Sequence, residues 1–342
     1  MDPLTYRRAG VDIEAGAEAV RRIAQLARVT FRPEVLGGIG AFAGFCRVPE
    51  RYREPVLVAA TDGVGSKLKV AVLADRHDTV GIDLVAMSAN DLLVHGAEPL
   101  FFLDYIGIGR LVPERVEAIV RGIAEGCRQA GCALLGGETA ELPEFYAPGE
   151  YDLAGFALGV AERARLVDGS AIRPGDVIIG LASSGLHSNG YTLARKVIFE
   201  RLGLKPGDLL PALARTVAEE LLEPTRIYVR PVLDLLANVP VKGMAHITGG
   251  GITENLPRVL PEECRALIRR ESWEVPPIFT LIREAGRVEE AEMFRTFNMG
   301  VGFVIIVAPE TLPQAIDRLT SHGLTTWVIG EITPGPRAVQ YA

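Results

Sequence analysis

Apolar residues recur along this chain with two periods, and the switches between them mark out its elements. From 14 to 28, Ala15, Ala19, Ile23, Leu26 and Ala27 share a helical face. The run Pro55-Val56-Leu57-Val58-Ala59-Ala60 predicts a strand over 55–61, and a helix over 79–95 follows. After a strand over 100–106, Pro113 opens a long helix ending near Gly131, which suits a C-terminal cap. Cys132–Leu135 and Tyr151–Val160 read as further strands. The second half continues in the same style, with strands over 177–182, 244–248, 301–307 and 326–332. Its helices fall over 190–202, 277–285 and 310–321. Strands alternating with helices indicate an α/β or α+β sheet covered by helices.

Two stretches break the pattern. Between 163 and 175, Asp168-Gly169-Ser170 and Arg173-Pro174-Gly175-Asp176 interrupt the apolar runs, so two domains are expected, 1–165 and 166–342. The 342 residues suffice for two domains of roughly 150 each. The second break, Gly37-Gly38-Ile39-Gly40-Ala41-Phe42-Ala43-Gly44, is too glycine-rich for helix or strand. It predicts a mobile flap that closes over a nucleotide.

Composition narrows the function. A net charge of −7 and a pI near 5.5 argue against a nucleic-acid binder. No apolar run approaches the roughly 20 residues of a membrane helix. Met1 to Arg8 lacks the apolar core of a signal peptide, so a cytoplasmic protein is expected. Cys46, Cys127, Cys132 and Cys264 form no C-x-x-C pair, which points away from zinc or redox chemistry.

The candidate chemistry sits where strands end. Behind strand 55–61 stands Thr61-Asp62-Gly63-Val64-Gly65-Ser66-Lys67. Gly63 and Gly65 let the backbone approach a phosphate, and Ser66 and Lys67 open a helix whose first amides favour an anion. An acid beside a phosphate makes sense when a divalent cation bridges the two. On the helix that follows, Asp83, Asn90 and Asp91 share one face, and its other residues are mostly apolar. Glu138 follows Gly136-Gly137 at another strand end, as Asp62 does. Asp62, Asp91 and Glu138 are therefore expected to converge on Mg²⁺. In the second half, Ser183-Ser184-Gly185-Leu186-His187-Ser188-Asn189-Gly190 and His246-Ile247-Thr248-Gly249-Gly250-Gly251 end strands in glycine-rich turns. The second turn suits a phosphate monoester. His187 is a candidate base near neutral pH, or else only shapes its capping loop.

These motifs, in this order, resemble the phosphoribosylformylglycinamidine cyclo-ligase (aminoimidazole ribonucleotide synthetase) family of purine biosynthesis. The likeness runs nearly end to end and includes Tyr6 to Gly16 and Phe297-Asn298-Met299-Gly300-Val301-Gly302. Ser66 stands where the family usually has Thr, and Ser88-Ala89 replace a common Cys-Val. The resemblance implies a two-domain, ATP-grasping synthetase fold. The first-domain sheet would pair into the barrel of a homodimer, and the second domain would carry a mixed sheet with helices. It further implies ATP-dependent closure of the imidazole ring of formylglycinamidine ribonucleotide through an iminophosphate. On that frame ATP and Mg²⁺ meet Gly37, Gly38, Gly40 and Gly44, then Asp62, Gly63, Gly65, Ser66 and Lys67. Asp91, Gly137 and Glu138 complete that set. The substrate meets His187, Ser188, Asn189 and Gly249–Gly251, and the chemistry falls to Asp62, Lys67 and His187. Sister families include selenophosphate synthetase, thiamine-phosphate kinase and a larger amidotransferase. The chain has no N-terminal Cys-Lys pair for selenium chemistry and no room for a glutaminase. A nucleotide-binding regulatory module without turnover is the alternative of a different class.

Overall fold

The computed structural model describes residues 4–38, 40 and 42–342, so Ile39 and Ala41 of the glycine-rich segment lie outside the described residues. Asp12 caps the first helix, α1 (Ile13–Arg28), by accepting the N–H groups of Glu14 and Ala15. The first sheet follows, built from β1 (Pro55–Gly63), β2 (Glu98–Ile108), β3 (Ala133–Glu141) and β4 (Tyr151–Glu162). Its spatial order is β1-β4-β2-β3, and only the β2–β3 pair is parallel. Three helices connect these strands: α2 (Lys67–Ala74), α3 (Val80–Leu93) and α4 (Pro113–Ala130).

α3 is apolar nearly all round because sheet and helix enclose it; Leu84, Val85, Ala89, Leu92 and Leu93 have no exposed surface. α4 crosses α3 so closely that a Cβ at Gly81 would stand 2.3 Å from the Ile119 carbonyl oxygen. Glycine is therefore required at that crossing. The other face of the sheet is open. Along β1, Leu57, Ala59 and Thr61 point outward, and Thr61 pairs with Phe156 of β4 on the same face.

The second half begins with β5 (Val177–Ala182) and α5 (Tyr191–Arg195), which widens into a π-turn over Lys196–Arg201. Next come the short pair β6 (Leu209–Leu210) and β7 (Arg215–Thr216), then α6 (Val217–Leu221) and α7 (Val229–Asn238). β8 (Gly243–His246), α8 (Gly251–Asn255) and β9 (Cys264–Ile268) follow, then α9 (Pro277–Gly286) and α10 (Glu290–Thr296). The chain closes with β10 (Val301–Val307), α11 (Leu312–Ser321), β11 (Thr326–Pro334) and β12 (Ala338–Tyr341). The six strands lie in the order β12-β9-β11-β5-β10-β8, antiparallel except β12 against β9. β10 is buried along its whole length, which explains its unbroken apolar sequence.

The pattern-based elements recur here with shifted ends: the strands expected over 55–61, 100–106 and 132–135 extend to Gly63, Ile108 and Glu141, while the helix expected over 79–95 spans Val80–Leu93. The strand expected over 244–248 stops at His246, where the Thr248–Gly251 turn begins. β6, β7, α6, α7, β9, α10 and β12 were not anticipated; β9 and β12 are short strands of mixed composition at one end of the sheet. All four cysteines are free.

The Gly81 crossing gives a direct test of this packing. Gly81→Ala should cost about 1–3 kcal/mol, the usual range for overpacking a well-filled core. The urea midpoint of the variant should fall accordingly, and an unchanged midpoint would mean the helices can separate freely.

Candidate active site

The two halves meet around one buried ion pair. Lys67, the first residue of α2, has no exposed side-chain surface, and its Nζ lies 2.8 Å from Asp83 Oδ2 of α3. The ammonium also donates to Asp83 Oδ1 (2.9 Å) and to the carbonyls of His187 (3.0 Å) and Glu223 (2.7 Å). Burial pulls the lysine below its usual range, and Asp83 opposes that shift. Asp83 Oδ1 in turn accepts from Ser188 Oγ, Thr225 N–H and Thr225 Oγ1. Lys67 was expected to face an anion. Its three hydrogens are instead committed to protein acceptors, so it joins the halves and leaves no donor for a phosphate. Ser66 points elsewhere, 3.1 Å from Thr192 Oγ1.

Two helical turns further, α3 presents Asn90 and Asp91 to the second half. Asn90 accepts from the Tyr228 N–H and donates to the Arg226 carbonyl. Asp91 Oδ1 lies 2.9 Å from Nδ1 of His246, a buried ring at the end of β8. Asp62 closes the group from β1. Burial holds its carboxyl above the usual range and the negative Asp91 adds to this, while the Gly63 N–H and His246 oppose it. Two acids and an imidazole thus gather at the mouth between the halves.

His187 follows Leu186 in a left-handed conformation (φ 62°) that side chains seldom adopt. Its Nε2 accepts the Ser184 N–H at 3.1 Å and faces the Arg226 N–H at 3.5 Å. Burial first, then the charges of His246, Lys67 and Arg226, hold the imidazole well below its usual range. A base needs a free lone pair, and this one is occupied by backbone donors. The base role expected for His187 therefore gives way to shaping its loop. Next to it, Ser188 is bound to Asp83, whereas Asn189 keeps its Nδ2 buried without a partner. That side chain faces the Gly249–Gly251 turn, its Oδ1 3.4 Å from where a Gly249 Cβ would stand. Asn255 Nδ2 fastens the turn through the carbonyls of Gly249 and Gly251.

The third expected acid lies elsewhere. Register aligns Asp62 with Gly155, Gly155 with Asp104 and Asp104 with Gly137, so one row crosses all four strands. Glu138, one residue beyond Gly137, is then about 14 Å from Asp62, three strand spacings away. Asp62 and Glu138 share an end of the sheet but occupy its opposite edges, and the expected triad of acids does not form within one chain. Among the described residues, no group of three or more His, Cys, Asp or Glu side chains is arranged to hold a metal ion. Glu138 and Gly137 instead border a cavity of about 800 Å³ beneath Gly38, Gly40 and Gly44.

Two participants were missed. His246 opened a motif read only for its glycine turn, and its pairing with Asp91 was not foreseen. Asp104, within the apolar run Phe101-Phe102-Leu103-Asp104-Tyr105, lines that cavity, and burial pushes its carboxyl up to about 7.

Comparison with known proteins follows the same two halves. Residues 43–161 match the family model "AIR synthase related protein, N-terminal domain", and residues 173–341 match its C-terminal counterpart. The chain is 58% identical over 329 residues to the phosphoribosylformylglycinamidine cyclo-ligase of Trichlorobacter lovleyi, covering 96% of this chain and 94% of that one. To the enzyme of the same name from Geobacter sulfurreducens it is 56% identical over 340 residues, covering 98% of each. Among solved structures, thiamine-monophosphate kinase from Stenotrophomonas maltophilia matches with a TM-score of 0.69 at 20% identity over 95% of each chain. HypE of E. coli matches at 0.65 and 20% identity, over 94% of this chain and 93% of that one. Both share the fold.

The raised Asp104 carboxyl predicts a pH dependence of stability. An unfolded aspartate releases its proton near 3.9, whereas the folded one holds it to about 7. Stability is therefore lost as pH rises from about 4 through about 7. Asp104→Asn removes that loss, so the variant should match the parent near pH 4 and exceed it at pH 8. The upper bound is on the order of 4 kcal/mol. Urea melts at both pH values would check it, and a constant difference would mean the carboxyl is ionised throughout.

Proposed function

The chain belongs to the family of AIR synthase related proteins, and on that premise we propose that it is an ATP-dependent cyclo-ligase. It closes formylglycinamidine ribonucleotide to aminoimidazole ribonucleotide and releases ADP and phosphate. The observation that carries this reading is the 58% identity, over nearly the whole chain, to a relative of that name. We divide the chain at 1–165 and 166–342, with nucleotide work in the first part and substrate work in the second. The reading includes a cytoplasmic enzyme without nucleic-acid or membrane partners. Among the described residues no helix is long and apolar enough to cross a membrane.

An amide oxygen is a poor leaving group. In the proposed reaction the formyl-amide oxygen attacks the γ-phosphorus of ATP, and the bond to the ADP oxygen breaks. An amidine nitrogen then attacks the activated carbon, the C–O bond breaks, and phosphate leaves as that nitrogen loses a proton. Asp62 and Asp91 fit a Mg²⁺ ion, because they form an adjacent pair short of cationic neighbours and a triphosphate supplies the remaining oxygens. Bound there, Mg²⁺ would neutralise charge on the phosphates. Glu138 is left out of that set. Gly37, Gly38, Gly40 and Gly44 close over the nucleotide base with Gly137 and Glu138 beside it, while the Gly63–Gly65 backbone faces the phosphates and the Ser66 hydroxyl stays with Thr192.

The second half contributes orientation. Asn189, with its unpartnered amide, and the Gly249–Gly251 turn receive the ribose phosphate. Ser188, held by Asp83, fixes the Asn189 loop against α3. Proximity of amidine and activated carbon supplies much of the ring-closing rate. Lys67 and His187 act by positioning this loop.

The open face of the first sheet supports a homodimer. Leu57 (55% exposed), Tyr105 (39%) and Phe156 (37%) stand on a face that no helix among the described residues covers. A second copy laid on it would bury that apolar surface and complete a barrel. Light scattering should report twice 36.8 kDa at micromolar concentration; a particle of single mass would refute the dimer.

The decisive experiment is ADP release that depends on formylglycinamidine ribonucleotide. Turnover should vanish in Asp62→Asn and in Asp91→Asn while far-UV circular dichroism stays unchanged. No ADP release at all in the parent would point to the regulatory module, and release independent of that substrate would refute the cyclo-ligase reading. Near-parent activity of both variants at low Mg²⁺ would end the metal assignment.

A further inference from the structure

The segment Phe297-Asn298-Met299-Gly300-Val301-Gly302 follows α10 and enters β10, behind both loops that receive the ribose phosphate in the proposed reaction. It packs against the first loop, Ser183–Gly190, at two points. A Cβ at Gly190 would overlap the Phe297 ring, and one at Gly302 would overlap the His187 ring. At the second loop, a Cβ on Gly251 would overlap the carbonyl oxygens of Phe294 and Phe297. Between these contacts stands Asn298, which is only 2% exposed. Its Oδ1 accepts from Ser183 Oγ (3.1 Å) and from the Gly300 N–H (2.8 Å), and its Nδ2 donates to the Gly185 carbonyl (2.9 Å). The turn beside it is left-handed at both Met299 (φ 51°) and Gly300 (φ 100°). Trp273 Nε1 locks that turn by donating to the Met299 carbonyl at 2.9 Å. A non-glycine residue keeps such a conformation only where its surroundings over-determine it. The segment is thus a rigid support under both loops.

We infer that Asn298 is a positioning residue for the second substrate, holding the Ser183–Gly190 loop in register with the Gly249–Gly251 turn. The inference rests on the reading that Asn189 and this turn together receive the ribose phosphate. Two anchors hold the Asn189 loop, and they tie it in different directions. Lys67 takes the His187 carbonyl and ties the loop to the first half, where the proposed ATP site lies. Asn298 takes the Gly185 carbonyl and the Ser183 hydroxyl, and ties the loop to the segment that also seats Gly251. Only a carboxamide fits this second anchor. Its oxygen meets two donors and its nitrogen one acceptor, so a side chain lacking either function strands a buried partner. Loss of Asn298 therefore moves Asn189 relative to the turn and leaves the Lys67 anchor in place. The defect is confined to recognition of the phosphate end of the substrate.

Steady-state ADP release by the full-length protein tests this, with formylglycinamidine ribonucleotide compared against the ribonucleoside that lacks its 5′-phosphate. The parent should strongly prefer the nucleotide. In Asn298→Ala, kcat/KM for the nucleotide should fall roughly 10- to 100-fold, the scale of loss from a misplacement of about 1 Å. The same variant should keep kcat/KM for the ribonucleoside, and KM for ATP, within a few-fold of the parent. Ser183→Ala removes only one of the Asn298 bonds and should lose the same preference by a smaller factor. Circular dichroism reports whether each variant is folded. Equal losses on nucleotide and ribonucleoside, or a folded Asn298→Ala that keeps the parent preference, overturn the inference. Should Asn298→Ala not fold, Ser183→Ala at the parent preference overturns it instead. A parent that uses both substrates equally, or neither, ends the phosphate reading and this inference with it. A parent that prefers the nucleotide, with that preference unchanged in the folded variants, overturns only the role of Asn298.

Discussion

The pairing of Lys67 with Asp83 is the contact through which the two halves of the chain are held in register. Both side chains are fully buried, and ions in such a place are tolerable only when every hydrogen and lone pair is used. Here the ammonium uses all three hydrogens, two of them on the carbonyls of His187 and Glu223, and Asp83 Oδ1 accepts from Ser188 and Thr225, while Oδ2 faces only the Lys67 ammonium. Removing one member leaves the other as an uncompensated buried charge, typically a loss of 3–5 kcal/mol. The loss would not stay local. The left-handed turn at His187 is anchored through its own carbonyl to Lys67, and the neighbouring Asn189 is aimed by the same anchor.

From that anchor the site extends along the first sheet like marks on a ruler. One transverse row runs Asp62, Gly155, Asp104, Gly137, and its ends lie about 14 Å apart by strand spacing. The acids near the cleft stand at one end and the glycine-roofed cavity at the other. A ligand that uses both must be long, polar at one end and flat and apolar at the other, which describes a nucleoside triphosphate laid across the strand ends. Gly137 sits where this row meets the cavity, and any side chain there would collide with the Asp104 carboxyl.

Much of this was legible in the sequence, and the failures share one cause. Strand ends carrying Asp62 and Glu138 follow from local pattern, as do the helix face of Asp91 and the glycine turns. What local pattern cannot supply is lateral order. β4 comes last of its four strands in the chain yet inserts between β1 and β2, which drives Asp62 and Glu138 to opposite edges. Lys67 was misjudged for the same reason, since its acceptors lie 16, 120 and 156 residues away. Asp104 looked like an acid in an ordinary strand because its peculiarity is burial with no ion pair among the described residues, which no spacing encodes.

The two histidines of the cleft show how burial sorts residues of equal intrinsic chemistry. His187 has both ring nitrogens enclosed, with Nε2 held by backbone donors, so its proton inventory is fixed and it serves geometry. His246 is equally buried, but its Nδ1 meets Asp91, whose carboxylate is 44% exposed and reaches the opening. The histidine thereby orients an acid that solvent and ligand can touch. Asp62 stands close enough for the Asp91 charge to raise its own carboxyl, so the pair is strained as long as no cation joins it. Two carboxylates are too few to satisfy Mg²⁺ unaided, whereas two carboxylates with phosphate oxygens and water suffice. In the reading proposed above, a cation arriving with its nucleotide would relieve the repulsion between Asp62 and Asp91, so metal binding there would be tied to ATP binding through the charge of the acids themselves.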